Sequence, residues 1–147
     1  MTHVRALTLD DFEAWLPLWN GYLDFYEATL EPEITRHTFD RLCENGNAMQ
    51  GALALRDDGQ AIGMVTWLTH PGTWSRKEYV YLEDLFVSAE ARGTGAGRAL
   101  IEHVRSWAGD AGAGKVYWLT AETNKTAQQL YDRVATKTGF IHYEIKK

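Results

Sequence analysis

The chain has 147 residues, 45% of them hydrophobic and 24% charged, with six tryptophans, seven tyrosines and a formal net charge of −5. That length and balance predict one domain over residues 1–147, and the acidic charge speaks against a nonspecific nucleic-acid binder, which carries a basic face. No apolar run approaches the about 20 residues of a membrane span, so no membrane partner is expected.

The N-terminus lacks the apolar stretch of a signal peptide, and Cys43 is the only cysteine, so no intramolecular disulfide is possible; a cytoplasmic location is expected. The five histidines are scattered without ligand spacing, and no metal site is expected.

In chain order, His3 to Leu7 reads as a short strand, and Thr8 with Asp10-Asp11 as a helix start. Phe12, Trp15, Leu16, Trp19, Tyr22, Leu23 and Tyr26 then recur at helical intervals, with Pro17 predicting a kink or break. A second helix is predicted from Glu33 to Glu44, ended by Asn45-Gly46-Asn47. Ala52 to Arg56 and Ile62 to Leu68 read as strands joined by the hairpin signal Asp57-Asp58-Gly59-Gln60.

His70 to Arg76 reads as a loop, and Tyr79 to Val87 as the clearest strand of the chain. Ala96 to Trp107 presents Leu100, Ile101 and Val104 on one helical face, and Gly109 to Gly114 is a glycine-rich turn. Val116 to Leu119 reads as a buried strand, Asn124 to Thr136 as a helix, and Phe140 to Ile145 as a last alternating strand after Gly139. This order predicts an α/β domain, an α+β mixed sheet, without repeats.

The segment richest in chemistry is Arg92-Gly93-Thr94-Gly95-Ala96-Gly97, followed by Arg98, between the clearest strand and a helix start. A strand, a glycine loop and a helix start aim free backbone N–H groups and the helix dipole at one point, which suits a phosphate or pyrophosphate. Arg98-Ala99 stand where a P-loop needs lysine and serine or threonine. Arg98 and Leu100 deny the dinucleotide pattern its last glycine. A purely structural helix start stays open from these six residues alone.

Arg92, Gly95 and Gly97 match the acetyl-CoA signature of the GNAT family of N-acetyltransferases, which runs arginine or glutamine, two residues, glycine, one residue, then glycine or alanine. Tyr81-Leu82-Glu83-Asp84-Leu85-Phe86-Val87 resembles that family's central strand, and Asn124, Ala127, Leu130-Tyr131 and Gly139-Phe140 its later helix and closing strand. Within the family, the run from Val116 to Ile141 is similar to the branch associated with histone and D-amino-acid N-acetylation, and Tyr81 to Leu85 is similar to diamine acetyltransferases. The resemblance spans essentially the whole chain. It implies a central, mostly antiparallel sheet flanked by about four helices, acetyl-CoA as acetyl donor, a primary-amine acceptor and a homodimer.

Acetyl transfer to an amine needs the amine's proton removed, donors for the developing oxyanion and a proton for the leaving thiolate. The resemblance implies backbone N–H groups near Phe86 and Val87 for the oxyanion, and Leu85, Phe86 and Val87 as cofactor-binding residues of a strand that splays from its neighbour. It implies Tyr131 as proton donor, though a tyrosine on an apolar helix face also serves as a packing anchor. Asn124, two turns from Tyr131, suits the pantetheine arm or a helix cap. Adjacent strand residues point to opposite faces, which places Glu83 with Tyr79, Tyr81, Leu85 and Val87, and Asp84 with Leu82 and Phe86.

Glu83 is the favoured base, acting through water; a salt bridge with a helix arginine is the alternative, and both acids are also candidates for the substrate cation. Tyr22, Tyr26 and Trp74 are candidates for the acceptor pocket, where aromatics beside carboxylates suit an ammonium. Direct attack is expected, since Cys43 lies outside every motif. A noncatalytic acyl-CoA sensor and a dimeric interaction protein are the rival readings.

Overall fold

The computed structural model describes residues 2–44, 46 and 48–147. Its element order is β1 (His3–Ala6), α1 (Phe12–Phe25), α2 (Pro32–Cys43), β2 (Met49–Leu55), β3 (Ala61–His70), β4 (Tyr79–Val87), α3 (Ala96–Asp110), β5 (Lys115–Tyr117) and α4 (Lys125–Val134). One sheet runs β1-β2-β3-β4-β5; its first three pairings are antiparallel and β4–β5 is parallel.

The hairpin signal behaves as its chemistry requires. Gly59 takes φ of 88°, and the Asp58 carboxylate accepts the Gln60 N–H at 2.9 Å. Helix α1 runs through Pro17 without a break. The helix end expected at Asn45-Gly46-Asn47 lies partly outside the described residues; α2 itself ends at Cys43.

The two faces of the sheet bury different clusters. Trp15, Leu18, Trp19, Phe39 and Leu42 of α1 and α2 pack on Leu53 and Met64, with Trp15 stacked on Trp19 at 5.1 Å. Leu100, Ile101 and Val104 of α3 pack on Val65, Trp67, Val80 and Leu82, with Leu130, Tyr131 and Val134 of α4 against them. A partly buried ion pair holds the first turn. Both Asp11 carboxylate oxygens take the Arg5 guanidinium, at 2.7 and 2.9 Å, and one also accepts the Thr8 N–H. The Arg5 contact is the main reason the Asp11 carboxyl falls to about 2.

Two expectations fail. First, Phe140 to Ile145 is not a strand. No helix or strand follows α4, and every residue from 135 to 147 is exposed. The alternation is present, but a strand forms only against a partner edge, and none lies beside this segment.

Second, Glu83 and Asp84 are not on opposite faces. Thr66 pairs with Asp84 but Trp67 with Leu82, so Glu83 is the unpaired extra residue of a β-bulge. Leu82 and Leu85 both join the α3-side core, three positions apart, which turns the two acids between them toward the α1 side.

Candidate functional site

A cavity of about 720 Å³ opens where the sheet parts. Strand β5 pairs with β4 only at Tyr79, Val80 and Tyr81, while β4 continues to Val87. The β5-side edge of Leu82 to Val87 thus has no strand beside it, and its last residues, Leu85, Phe86 and Val87, wall the cavity.

The glycine loop forms one end. Gly93 and Gly95 hold φ of 81° and 90°, a conformation L side chains resist. Gly95 caps α3 without a side chain, and the first intrahelical bond runs from Ala99 N–H to Gly95 C=O at 3.0 Å. The N–H groups of the first turn therefore stay outside the helical ladder at the cavity wall, with the positive end of the helix dipole. Arg92 donates to the Val87 carbonyl at 3.2 Å, and Arg92, Arg98 and Arg133 add three positive charges to the lining.

Helix α4 forms the other wall. Asn124 caps it, its side-chain oxygen accepting the Ala127 N–H at 3.3 Å. Asn124, Ala127 and Tyr131 line the cavity together. Tyr131 stands edge-on to Trp118 at 5.4 Å, and burial raises its hydroxyl above the usual phenol value. It is therefore a neutral O–H at any working pH.

Tyr22, Phe25 and Tyr26 of α1 close the side toward the acids. Tyr22 packs edge-on to Tyr26 at 5.1 Å and bonds Asp84. Thr66 donates to Asp84 at 2.5 Å. Burial raises the Asp84 carboxyl above its usual value despite both bonds. Burial first, then the neighbouring Asp84 charge, raises Glu83, while Arg41 of α2 opposes this. The Tyr22 hydroxyl is pushed up by burial and by Asp84. Beyond Glu83 lies an aromatic bank: Tyr81 against Tyr117 at 5.0 Å, and His70 Nε2 2.7 Å from the Tyr117 hydroxyl.

Of the residues named from sequence, Leu85, Phe86, Val87, Arg92, Gly93, Gly95, Ala96, Gly97, Arg98, Asn124, Ala127, Tyr131, Tyr22 and Tyr26 meet around this cavity. Thr94 does not: its hydroxyl turns back to the Ala91 carbonyl at 2.5 Å. Trp74 is 95% exposed and lies outside the lining of this cavity. Glu83 and Asp84 stand behind Tyr22 rather than in the lining.

Sequence reasoning missed Phe25, Ala91, Thr126, Gln129, Leu130 and Arg133 as lining residues. The α4 set sits at helical spacing around Leu130, and that spacing was the available signal. Among the described residues no group of three acidic, histidine or cysteine side chains is placed to hold a metal. No described helix is long and apolar enough to cross a membrane.

Residues 14–135 match the model of the Acetyltransferase (GNAT) family. The D-amino-acid N-acetyltransferase HPA3 of Saccharomyces cerevisiae is 41% identical over 142 residues, 96% of this chain and 88% of that protein. The uncharacterized N-acetyltransferase YhfO of Bacillus subtilis is 29% identical over 96% of this chain and 95% of its own. Among solved structures, a ribosomal-protein-alanine N-acetyltransferase from Brucella melitensis biovar Abortus 2308 superposes with a TM-score of 0.84 at 20% identity, over 100% of both chains. AAC(6')-Iy in complex with a bisubstrate analogue superposes with a TM-score of 0.86 at 18% identity, over 100% of this chain and 99% of the other.

Proposed function

The chain belongs to the acetyltransferase (GNAT) family, and from that premise we propose that it moves the acetyl group of acetyl-CoA onto a primary amine by direct attack. The observation that carries this reading is the single cavity that joins the open first turn of α3, the free edge of β4 and the Tyr131 hydroxyl. Acetyl-CoA supplies an acyl thioester. Its chemistry fits the donor set: a pyrophosphate suits the backbone N–H groups from Gly93 to Arg98 beside Arg92, and an amide-bearing arm suits the unpaired β4 edge and Asn124.

In this reading the β4 backbone from Leu85 to Val87 offers N–H groups to the oxygen that gains charge. Glu83, through water, takes the proton of the attacking ammonium. As the N–C bond forms and the C–S bond breaks, the Tyr131 hydroxyl gives its proton to the departing sulfur, and the second proton that the nitrogen sheds as the amide forms passes through solvent to restore the Tyr131 hydroxyl. The Thr94 side chain orders the loop through the Ala91 carbonyl and leaves only its backbone N–H for the ligand.

The acceptor lies on the Tyr22, Tyr26, Glu83 and Asp84 side, where carboxylates beside aromatic faces favour an ammonium. The name of the yeast relative makes an amino acid, a D-amino acid first, the leading acceptor. The reading places one acetyltransferase unit over residues 1–147, working in the cytoplasm as a homodimer, without nucleic-acid or membrane partners. The exposed aromatics Phe25, Tyr26 and Trp74 support an assembly.

The test is thiol release from acetyl-CoA against a panel of D- and L-amino acids, polyamines and lysine peptides. One amine class turning over at least about 100-fold faster than buffer is expected. Release with none of them, despite acetyl-CoA binding, would overturn the enzymatic step in favour of an acyl-CoA sensor.

A further inference from the structure

Five buried side-chain polar atoms among the described residues have no hydrogen-bond partner, and only one of them belongs to a charged group: Nε of Arg41. A buried donor on a cation is costly to keep without an acceptor, and it calls for a purpose. Arginines elsewhere in the chain are paired. Arg5 holds Asp11, Arg105 holds Glu102, and Arg36 holds Asp40 and lies over the Phe12 ring at 4.5 Å. No carboxylate among the described residues forms an ion pair with Arg41.

Arg41 sits in the last turn of α2, beside Leu42, which is buried in the core on the α1 side of the sheet. Five residues separate it from Arg36, so at about 100° per residue the two leave the helix on different flanks. Arg36 faces the start of α1 through Phe12, and Arg41 is turned away from it. The Arg41 charge reaches Glu83, where it opposes the upward push of burial and of Asp84. Glu83 itself is exposed, as the extra residue of the β-bulge.

The two opposite charges thus feel each other without touching, because each is held by its own element. A fixed guanidinium and an open carboxylate, kept apart, match a ligand that carries the complementary pair. An α-amino acid does so, with its ammonium and its carboxylate on one carbon. A polyamine or a lysine side chain brings the amine without the anion, and Arg41 repels its charge.

We propose that Arg41 is the carboxylate anchor of the acceptor site, taking the α-carboxylate of an amino acid whose amine stands at Glu83. The inference deepens the acetyl-transfer reading and rests on it. Nε–H and one Nη–H of a guanidinium donate in parallel to the two oxygens of a carboxylate, so the anchor fixes direction as well as charge. The buried Nε gains its missing acceptor, and the amine is held in one position for attack. Acceptor choice follows: free amino acids are taken, and polyamines and lysines within a peptide are refused.

The test compares D- and L-phenylalanine, leucine and alanine with their carboxamides, which keep the amine and lose the anion. In the wild type, the KM of the preferred amino acid is expected to lie at least about 10-fold below that of its carboxamide. Arg41→Gln is expected to raise the amino acid's KM about 10–100-fold, with kcat, the acetyl-CoA KM and the carboxamide's kcat/KM unchanged within about two-fold. Arg41→Lys is expected to recover only a small part of the loss, because an ammonium lacks the fork.

Equal KM values for amino acid and carboxamide in the wild type overturn the anchor without any variant. An equal loss for both in Arg41→Gln also overturns it, since Arg41 then acts through Glu83 or through the fold. Turnover confined to polyamines or lysine peptides overturns the anchor and leaves acetyl transfer standing. If no amine turns over, the acetyl-transfer reading falls, and the anchor is read from unfolding midpoints with CoA bound. An amino acid that stabilises the protein no more than its carboxamide then overturns it, and one that stabilises more upholds it.

Discussion

In the proposed mechanism Tyr131 and Glu83 carry different halves of the proton traffic, and their surroundings suit the division. Tyr131 is held neutral by burial beside Trp118, so it has a proton to give. Tyr131→Phe keeps the ring and its packing and removes only the proton. It is expected to lower kcat by about 10²-fold with little change in acetyl-CoA affinity; a large loss of affinity would make the hydroxyl a binding group instead.

Glu83 has its carboxyl raised by burial and by Asp84, so its basic form is lost as pH falls through a value above the ordinary glutamate range. At saturating amine, kcat is expected to fall on that acidic limb. Glu83→Gln is expected to flatten it and cost about 10²-fold. An unchanged limb in the variant would move the base elsewhere. The two acids could be named from sequence because carboxylates inside an apolar strand are costly without a purpose. Their shared face could not be inferred from strict alternation. The clue was Leu82 and Leu85, three apart where a regular strand places its core residues two apart.

At the scale of elements, the strands and helices with uninterrupted patterns were legible. Tyr79–Val87 emerges with both ends as expected, and α3 starts at Ala96 as its glycine loop requires. Elements that depend on a distant partner were not. Strand β5 is three residues rather than four, and the expected last strand does not form, because pairing, not propensity, decides both. The Arg5–Asp11 pair joins β1 to the start of α1, and its worth is measurable. Asp11 has a folded value of about 2 against 3.8 for the free group. Its contribution is complete above about pH 4 and is lost as pH falls through 2. Asp11→Ala is expected to cost about 2 kcal/mol at pH 7, with Arg5 partly exposed and so partly screened. Parallel acid-unfolding curves for variant and wild type would contradict this.

For the whole molecule, the cavity exists because the sheet parts: β4 outruns its pairing with β5, and α1, α3 and α4 meet around the exposed edge. Length predicted one unit, and the motifs predicted most of the wall. They could not show that Thr94 turns inward or that Trp74, read as exposed, lies outside the cavity lining, because loop direction is set by tertiary contacts. The account stands on acetyl-CoA occupying this cavity in the folded state. The measurement that tests it most directly is thermal unfolding with and without acetyl-CoA. At 100 times its dissociation constant, the ligand is expected to stabilise by about 2.7 kcal/mol, raising the midpoint by about 5–10 °C. An unchanged midpoint at millimolar acetyl-CoA would contradict the account.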